Sequence, residues 1–219
     1  MASRIVPDPD AHPAPSPSSG SPAPRPAQGP GEEGVLRAAI AVMSEHGYHG
    51  TSVRDIAVRA GISPAALYYH FESKYEVLAT IMERGIDSLL LRTRAALAGA
   101  GDDPAGRLGA IVQTHVLFHL EDQRGTMLGT SELRALREPV LSAHLAKRHQ
   151  QQRLFDGVLL EGAEQSVFTT PLPLEASRAI VVMCTGVAGW YSPDGPLSGE
   201  EIAGRYRRLA LDMAGARAA

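Results

Sequence analysis

Between Ser63 and Lys74 the chain reads S-P-A-A-L-Y-Y-H-F-E-S-K, residue types suited to touching a polyanion and the edges of bases. Tyr68, Tyr69 and His70 carry hydrogen-bonding tips on aromatic bodies, and a phenol or an imidazole can meet either a phosphate or a base edge. Ala65 and Ala66 beside them are small enough for close approach to base edges and thymine methyl groups. Lys74 follows a serine where a new helix should begin, and an ammonium beside free backbone N–H groups suits a phosphate.

Such chemistry needs a short helix held outward, and the flanking residues supply one. Ser52 with Asp55 three residues on forms a capping box for a first helix whose Val53, Ile56, Ala57 and Ala60 share an apolar face. Gly61 stands where a left-handed residue ends that helix. Ser63 caps the next helix and Pro64 takes its first position, where a missing N–H is harmless. Two helices joined so abruptly cross steeply, as in a helix-turn-helix, which places its second helix in the major groove. Leu67 and Phe71, four apart, should face inward. Tyr68 or Tyr69 alone could be a core aromatic and His70 a structural histidine. Consecutive placement argues otherwise, because not every side of so short a helix can be buried in a small domain, and at least one tyrosine must be exposed. Ser73 with Glu76 suggests a further capping box opening a helix at Lys74.

The runs T-S-V-R-D-I-A-x-x-A-G-I-S, L-Y-Y-H-F and S-K, preceded by A-A-I-A-V-M-S-E-H-G-Y as a first helix, resemble the N-terminal domain of the TetR family of one-component bacterial repressors. Four linked helical elements in register over residues 34 to 80 carry the resemblance. It implies that Ser63, Pro64, Ala65, Tyr68 and Tyr69 approach the bases and that Thr51, His70 and Lys74 hold phosphates. Arg54 is open between a phosphate contact and a solvated or helix-pairing arginine.

At 219 residues and 44% hydrophobic composition the chain can bury one small core and one larger one. A net charge of −3 runs against generic nucleic-acid binding. Across residues 50 to 75, Arg54, Arg59 and Lys74 against Asp55 and Glu72 leave only +1, so recognition should depend on placed contacts and on dimerisation. The single cysteine, Cys184, excludes an intramolecular disulfide and a multi-cysteine zinc site, and its apolar surroundings suggest a buried, inert thiol. No apolar run approaches the roughly 18 residues of a membrane span, and the N-terminus lacks the apolar core of a secretory signal. A cytoplasmic protein without membrane contact is the expectation.

Residues 1 to 30 hold nine of the sixteen prolines and should form a disordered Pro/Ala-rich tail, from which Arg25 could reach DNA as a basic arm. A helix-turn-helix domain over 31–80 and a helical effector-binding and dimerisation domain over 81–219 follow. Helices are expected at about Glu33–His46, stopped by Gly47, and from Lys74 to about Leu97. The latter should pack on the DNA-reading unit through Val77, Leu78, Ile81 and Met82, and on the next domain through Ile86, Leu89 and Leu90. Further helical segments are expected at about Ala105–Leu120, Gly125–Leu136, Pro139–Gly162, Leu174–Trp190 and Ser198–Ala214. No alternating strand pattern stands out, so the fold class is all-α.

The resemblance implies a homodimer joined by the last two long helices, with Ala176, Ala179, Ile180, Met183, Val187 and Ala188 as a small-residue surface. Two linked half-site contacts, about 34 to 36 Å or a multiple apart on a palindromic double-stranded operator, would offset the weak charge. The other helices should enclose a pocket for a small effector, with Ile111, His115, Phe118, Met127, Phe155, Met183 and Trp190 as candidate lining, although each could equally be ordinary core. W-Y-S-P-D-G-P-L-S from Trp190 and the run K-R-H-Q-Q-Q-R resemble the branch of the family that includes steroid-degradation repressors. That implies an acyl-CoA effector, with Lys147, Arg148 and Arg153 as candidates for its phosphates; a solvated basic helix face is the alternative. His115 and His119, four apart, could share a metal, but no third ligand is suitably spaced, so no metal and no cofactor is assigned.

Three function classes are compatible with these residues. A ligand-responsive repressor fits most features. A helical acyl-CoA-transforming enzyme lacks a G-x-S-x-G elbow, Walker loop, Rossmann fingerprint or H-E-x-x-H. An acyl-CoA-binding or scaffolding protein without DNA affinity would suit the weak charge of residues 50 to 75.

Overall fold

The computed structural model describes residues 31–216, so the Pro/Ala-rich tail and Arg25 lie outside the described residues. The fold is all-α. Among the described residues extended pairing is limited to one isolated bridge between Phe168 and Ala216.

The first three helices form a head whose boundaries follow from local chemistry. Helix α1 spans Glu32–Gly50 with non-helical backbone at Gly47 (φ 71°, ψ 165°), so the expected stop is a kink followed by one more turn rather than an end. Helix α2 (Val53–Ala60) opens on the complete Ser52–Asp55 capping box and closes on Gly61 in the left-handed region (φ 69°, ψ 30°). Helix α3 (Pro64–His70) has Ser63 accepting from the Ala66 N–H at 3.1 Å. Helix α4 (Lys74–Gly99) starts with only half of the expected box. Ser73 Oγ accepts from the Glu76 N–H, but the Glu76 carboxylate accepts from Glu72 N–H at 2.6 Å rather than from Ser73. The head's core joins Val35, Leu36, Ala39, Met43, Ile56, Leu67 and Phe71 to Val77, Leu78, Ile81 and Met82 of α4. Burying each large aliphatic chain there is worth roughly 1.5–3 kcal/mol before conformational entropy is counted.

Beyond α4 come α5 (Pro104–Glu121), α6 (Gln123–Ser131) with a 3-10 turn at Glu132–Ala135, α7 (Val140–Glu164), α8 (Pro173–Gly186) with a 3-10 turn at Val187–Gly189, and α9 (Gly199–Ala214). Asp103 and Asp122 cap α5 and α6, and the expected Ser198–Glu201 box opens α9. Two expected helices are each split into an α-helix and a short 3-10 turn, at Glu132 and at Val187. Helices α5, α7, α8 and α9 share a second core around Leu108, Ile111, Phe155, Leu159 and Ile180. A small apolar group on α4, Ile86, Leu89 and Leu90, packs with Phe118 and Leu154 and joins the two.

Helix α6 belongs to both halves. Leu128 and, after it, Leu136 are buried in the head's core, whereas Gly125, Thr126, Gly129 and Thr130 line a cavity between the head and the C-terminal half.

Candidate nucleic-acid interface and ligand cavity

Of the residues singled out for DNA, most form one outward surface on α2 and α3. Leu67 and Phe71 are 0% and 3% exposed and hold α3 to the core, while Tyr68 and Tyr69 are 55% and 87% exposed. Ser63, Pro64, Ala65 and Arg54 are exposed and His70 is half-buried against Tyr69. Two of the set are occupied from within. Thr51 is buried and its hydroxyl donates to Gly47 O at 2.8 Å. Lys74 Nζ donates to Tyr48 O at 2.7 Å and Thr51 O at 2.6 Å and lies 4.3 Å from the centroid of the Tyr48 ring. Lys74 therefore ties the start of α4 to the α1–α2 connection, with one ammonium hydrogen left for any outside anion. Arg59 is paired with Glu45 at 2.6 Å, and that guanidinium holds the Glu45 carboxyl below its usual range. Arg54 is left as the α2 arginine without an ion pair among the described residues, so the charge facing outward is small.

The effector candidates are brought together only in part. A cavity of about 480 Å³ lies between α1, α4, α5, α6, α7 and α8, a size typical of small-ligand sites. His115, Phe118 and Arg148 line it. Ile111 and Phe155 are fully buried in the second core, where Phe155 packs edge-on against His115 with ring centroids 5.5 Å apart. Met183 packs against that same core, Met127 is half exposed, and Trp190 is 57% exposed and stacks on Tyr206. Lys147 lines a smaller neighbouring cavity of about 190 Å³ and is bound to Glu83 at 3.1 Å and Asp87 at 2.8 Å, bonds that push its ammonium pKa up. Arg153 is exposed on the outer side of α7.

The cavity's polar wall comprises groups that sequence reasoning reached only in part. His115 and His119 meet with Nε2 atoms 3.0 Å apart, His119 Nδ1 lies 2.9 Å from Thr126 Oγ1, and His115 Nε2 lies 3.1 Å from Thr185 Oγ1. Burial keeps both imidazoles neutral, pushing His119 down to about 4 and His115 well below its ordinary value. No third metal-ligating side chain joins the pair among the described residues. Gln151 sits beside them, 3% exposed, and Arg84, Arg92 and Arg148 line the cavity as well. Arg84 is paired with Glu32 and Glu33, and Arg92 with Glu121 while lying over the Phe118 ring. A signal for Gln151 was present in the sequence. His144, Gln151 and Phe155 recur at helical spacing on one side of α7, so a polar residue interrupts an apolar stripe there. Cys184 is buried with its thiol pushed up to about 12, an unreactive state at neutral pH.

The surface facing outward from the last two helices differs from the expected one. Ala176, Ile180 and Val187 point into the protomer's own core. Of the expected set Ala179 is exposed, and the large apolar residues exposed beside it in sequence or on α9 are Val182 of α8, Leu209 and Met213 of α9, and Trp190 just beyond α8. No helix among the described residues is long and apolar enough to cross a membrane.

Comparison with known proteins agrees with this geometry. Residues 35–81 match the family described as bacterial regulatory proteins, tetR family, and residues 101–214 match the tetracyclin repressor-like C-terminal domain. The HTH-type transcriptional repressor KstR2 of Mycobacterium tuberculosis (strain ATCC 25618 / H37Rv) is 28% identical over 179 residues, spanning 81% of this chain and 89% of that protein. The solved structure of that ketosteroid transcriptional regulator has a TM-score of 0.79 at 26% identity, covering 85% of this chain and 95% of the other. The regulator PfmR from Thermus thermophilus has a TM-score of 0.75 at 31% identity, covering 81% and 97%. The HTH-type transcriptional activator FasR of Mycolicibacterium smegmatis (strain ATCC 700084 / mc(2)155) is 37% identical over 94 residues, 43% of this chain and 42% of that protein. An outward reading helix on a capped helix-turn-helix, followed by a C-terminal half of matching fold, places the chain in the tetR family of bacterial regulatory proteins, as a DNA-binding regulator.

Proposed function

We propose that the protein is a cytoplasmic homodimeric repressor that binds a palindromic operator and leaves it when a small hydrophobic or acyl-CoA effector fills the 480 Å³ cavity. The observation that carries this reading is the position of α6. One side of it lines the cavity through Thr126 and Gly129, while its Leu128 is buried in the core beneath the reading helix. A ligand that shifts α6 or α4 thus acts on the packing of the head. Such a shift needs a ligand with different affinities for the two arrangements, since equal affinity moves no equilibrium.

Repression is favoured over activation because the repressor KstR2 aligns over most of the chain, whereas the activator FasR aligns over less than half. An acyl-CoA suits the combination of apolar lining and the arginines Arg84, Arg92 and Arg148. The cavity would take the acyl part and leave the phosphates to the arginines. In the head, Ser63, Pro64, Ala65, Tyr68 and Tyr69 would meet bases while Arg54, His70 and Lys74 meet phosphates, and Thr51 would act through its backbone position. The exposed stripe of Val182, Leu209 and Met213 would close a two-fold interface. Operator affinity measured with and without a series of acyl-CoAs tests the reading. Release by one of them is expected, and identical binding curves throughout would remove the effector claim.

A further inference from the structure

Polar side chains in the cavity gather on its inner wall, and their hydrogen bonds run in one direction. Thr185 and Thr93 each donate their hydroxyl hydrogen to the carbonyl one turn back, Val181 O and Leu89 O, both at 2.9 Å. Each of these hydroxyl oxygens is therefore left to accept. His115 Nε2, 3.1 Å from Thr185 Oγ1, must then carry the hydrogen, which leaves His115 Nδ1 an acceptor. His119 Nε2, 3.0 Å from that same nitrogen, is in turn the unprotonated one, and His119 Nδ1–H donates to Thr126 Oγ1.

Gln151 completes the pattern. Its amide nitrogen gives one hydrogen to Thr93 Oγ1 at 2.8 Å and the other to His115 Nδ1 at 3.3 Å, which fixes the orientation of the amide. Gln151 Oε1 is then left buried with no partner. His144 Nδ1, two turns earlier on α7 and lining the same cavity, is a second buried atom without a partner. An orphaned acceptor in a poorly solvated wall costs free energy until a donor reaches it. A carboxylate has no hydrogen to give the Gln151 oxygen and would instead be drawn to Arg148, which lines the same cavity. A bare hydrocarbon would leave that oxygen orphaned. A hydroxyl can donate to it.

We infer that the effector enters with an uncharged hydroxyl at its buried end, donated to Gln151 Oε1, on an otherwise apolar body that packs on Leu36, Ile81, Ile86, Leu89, Phe118 and Val181. The inference rests on the cavity being the effector site and specifies what that site selects. In an acyl-CoA effector, the hydroxyl belongs to the far end of the acyl group.

Calorimetric titration of the full chain without DNA, using 1-decanol, 2-decanone and decanoate as probes of one skeleton, tests it. The alcohol is expected to bind at least about ten-fold more tightly than the ketone or the carboxylate, because a site that hydrogen-bonds a hydroxyl rejects analogues lacking it. In Gln151→Leu the advantage of the alcohol over the ketone should shrink to within about two-fold. Should that variant not fold, the ranking of the three probes on the unaltered chain decides alone. Equal affinities, a preference for decanoate, or no binding of any probe overturns the inference. A parallel assay of duplex binding keeps the two levels apart, since the regulator reading fails only if the chain retains no duplex.

Discussion

In the head the buried side chains are apolar apart from Thr51, whose hydroxyl is satisfied by Gly47 O, and the phenol of Tyr48, while the hydrogen-bonding aromatics Tyr68 and Tyr69 stand outside. The C-terminal half, together with the outer part of α4, buries Thr93, His115, His119, His144, Gln151 and Ser177, most of them around a cavity. Close-packed apolar matter has one favourable arrangement and resists deformation. A buried polar network with an unmet acceptor has an arrangement that a ligand can improve. The contrast separates a rigid reader from a responsive sensor, which meet at α6 and at Leu36, Ile81 and Met82 of α1 and α4.

The largest expected effect breaks the rigid side. Leu67→Ala should cost about 2–5 kcal/mol in urea unfolding, since the site is fully buried and closely packed. Val181→Ala at the cavity wall should cost less, roughly 1 kcal/mol, because its methyl groups already face space. Equal losses at the two positions would contradict the difference drawn between the halves.

Acid should break the other side next. His119 has its pKa pushed from 6.5 down to about 4 in the fold, so above pH 6.5 it is neutral folded or unfolded and its surroundings cost nothing. As pH falls from 6.5 toward 4 the unfolded chain takes the proton first, and about 3 kcal/mol of stability is lost across that window. A thermal-melt series in pH should show this decline, and His119→Gln should reduce it without removing it, because burial also pushes His115 well below its ordinary value.

Smaller effects sharpen the division of labour. Tyr69→Ala should leave stability within about 0.5 kcal/mol, given 87% exposure, yet weaken binding to a selected operator by about 1–3 kcal/mol. Thr126→Val, which removes the bond from His119 to α6, should lower the coupling between effector and operator by about 1 kcal/mol. Arg54→Ala should reduce the slope of binding against salt by about one, the signature of a single lost phosphate contact.

The head was legible because its signals are local. Ser52 with Asp55, Gly61, and Ser63 with Pro64 each act within one turn of chain, and the structure shows the cap or turn each one implies. Glu76 shows the limit of such reasoning, since its carboxylate found the Glu72 N–H instead of Ser73. The cavity was less legible because its wall comes from six helices that meet only in the folded chain. Ile111 and Phe155 have the composition of pocket residues, yet their faces turn into the core, whereas Gln151, Thr126 and Thr185 carry no motif and line the cavity through tertiary packing. Basic residues were similarly ambiguous, because Lys147 finds Glu83 and Asp87, distant in sequence, and Arg148 does not.

The central claim is that α3, outward on a rigid head, reads a duplex. Selection of bound fragments from a random DNA pool by the full chain, repeated with Tyr69→Ala, addresses it most directly. The expected result is enrichment of an inverted repeat whose half-sites lie about one helical turn or a multiple apart, with that enrichment lost in the variant. Recovery of no sequence above background by the unaltered chain, or an identical enriched site for both proteins, would contradict it.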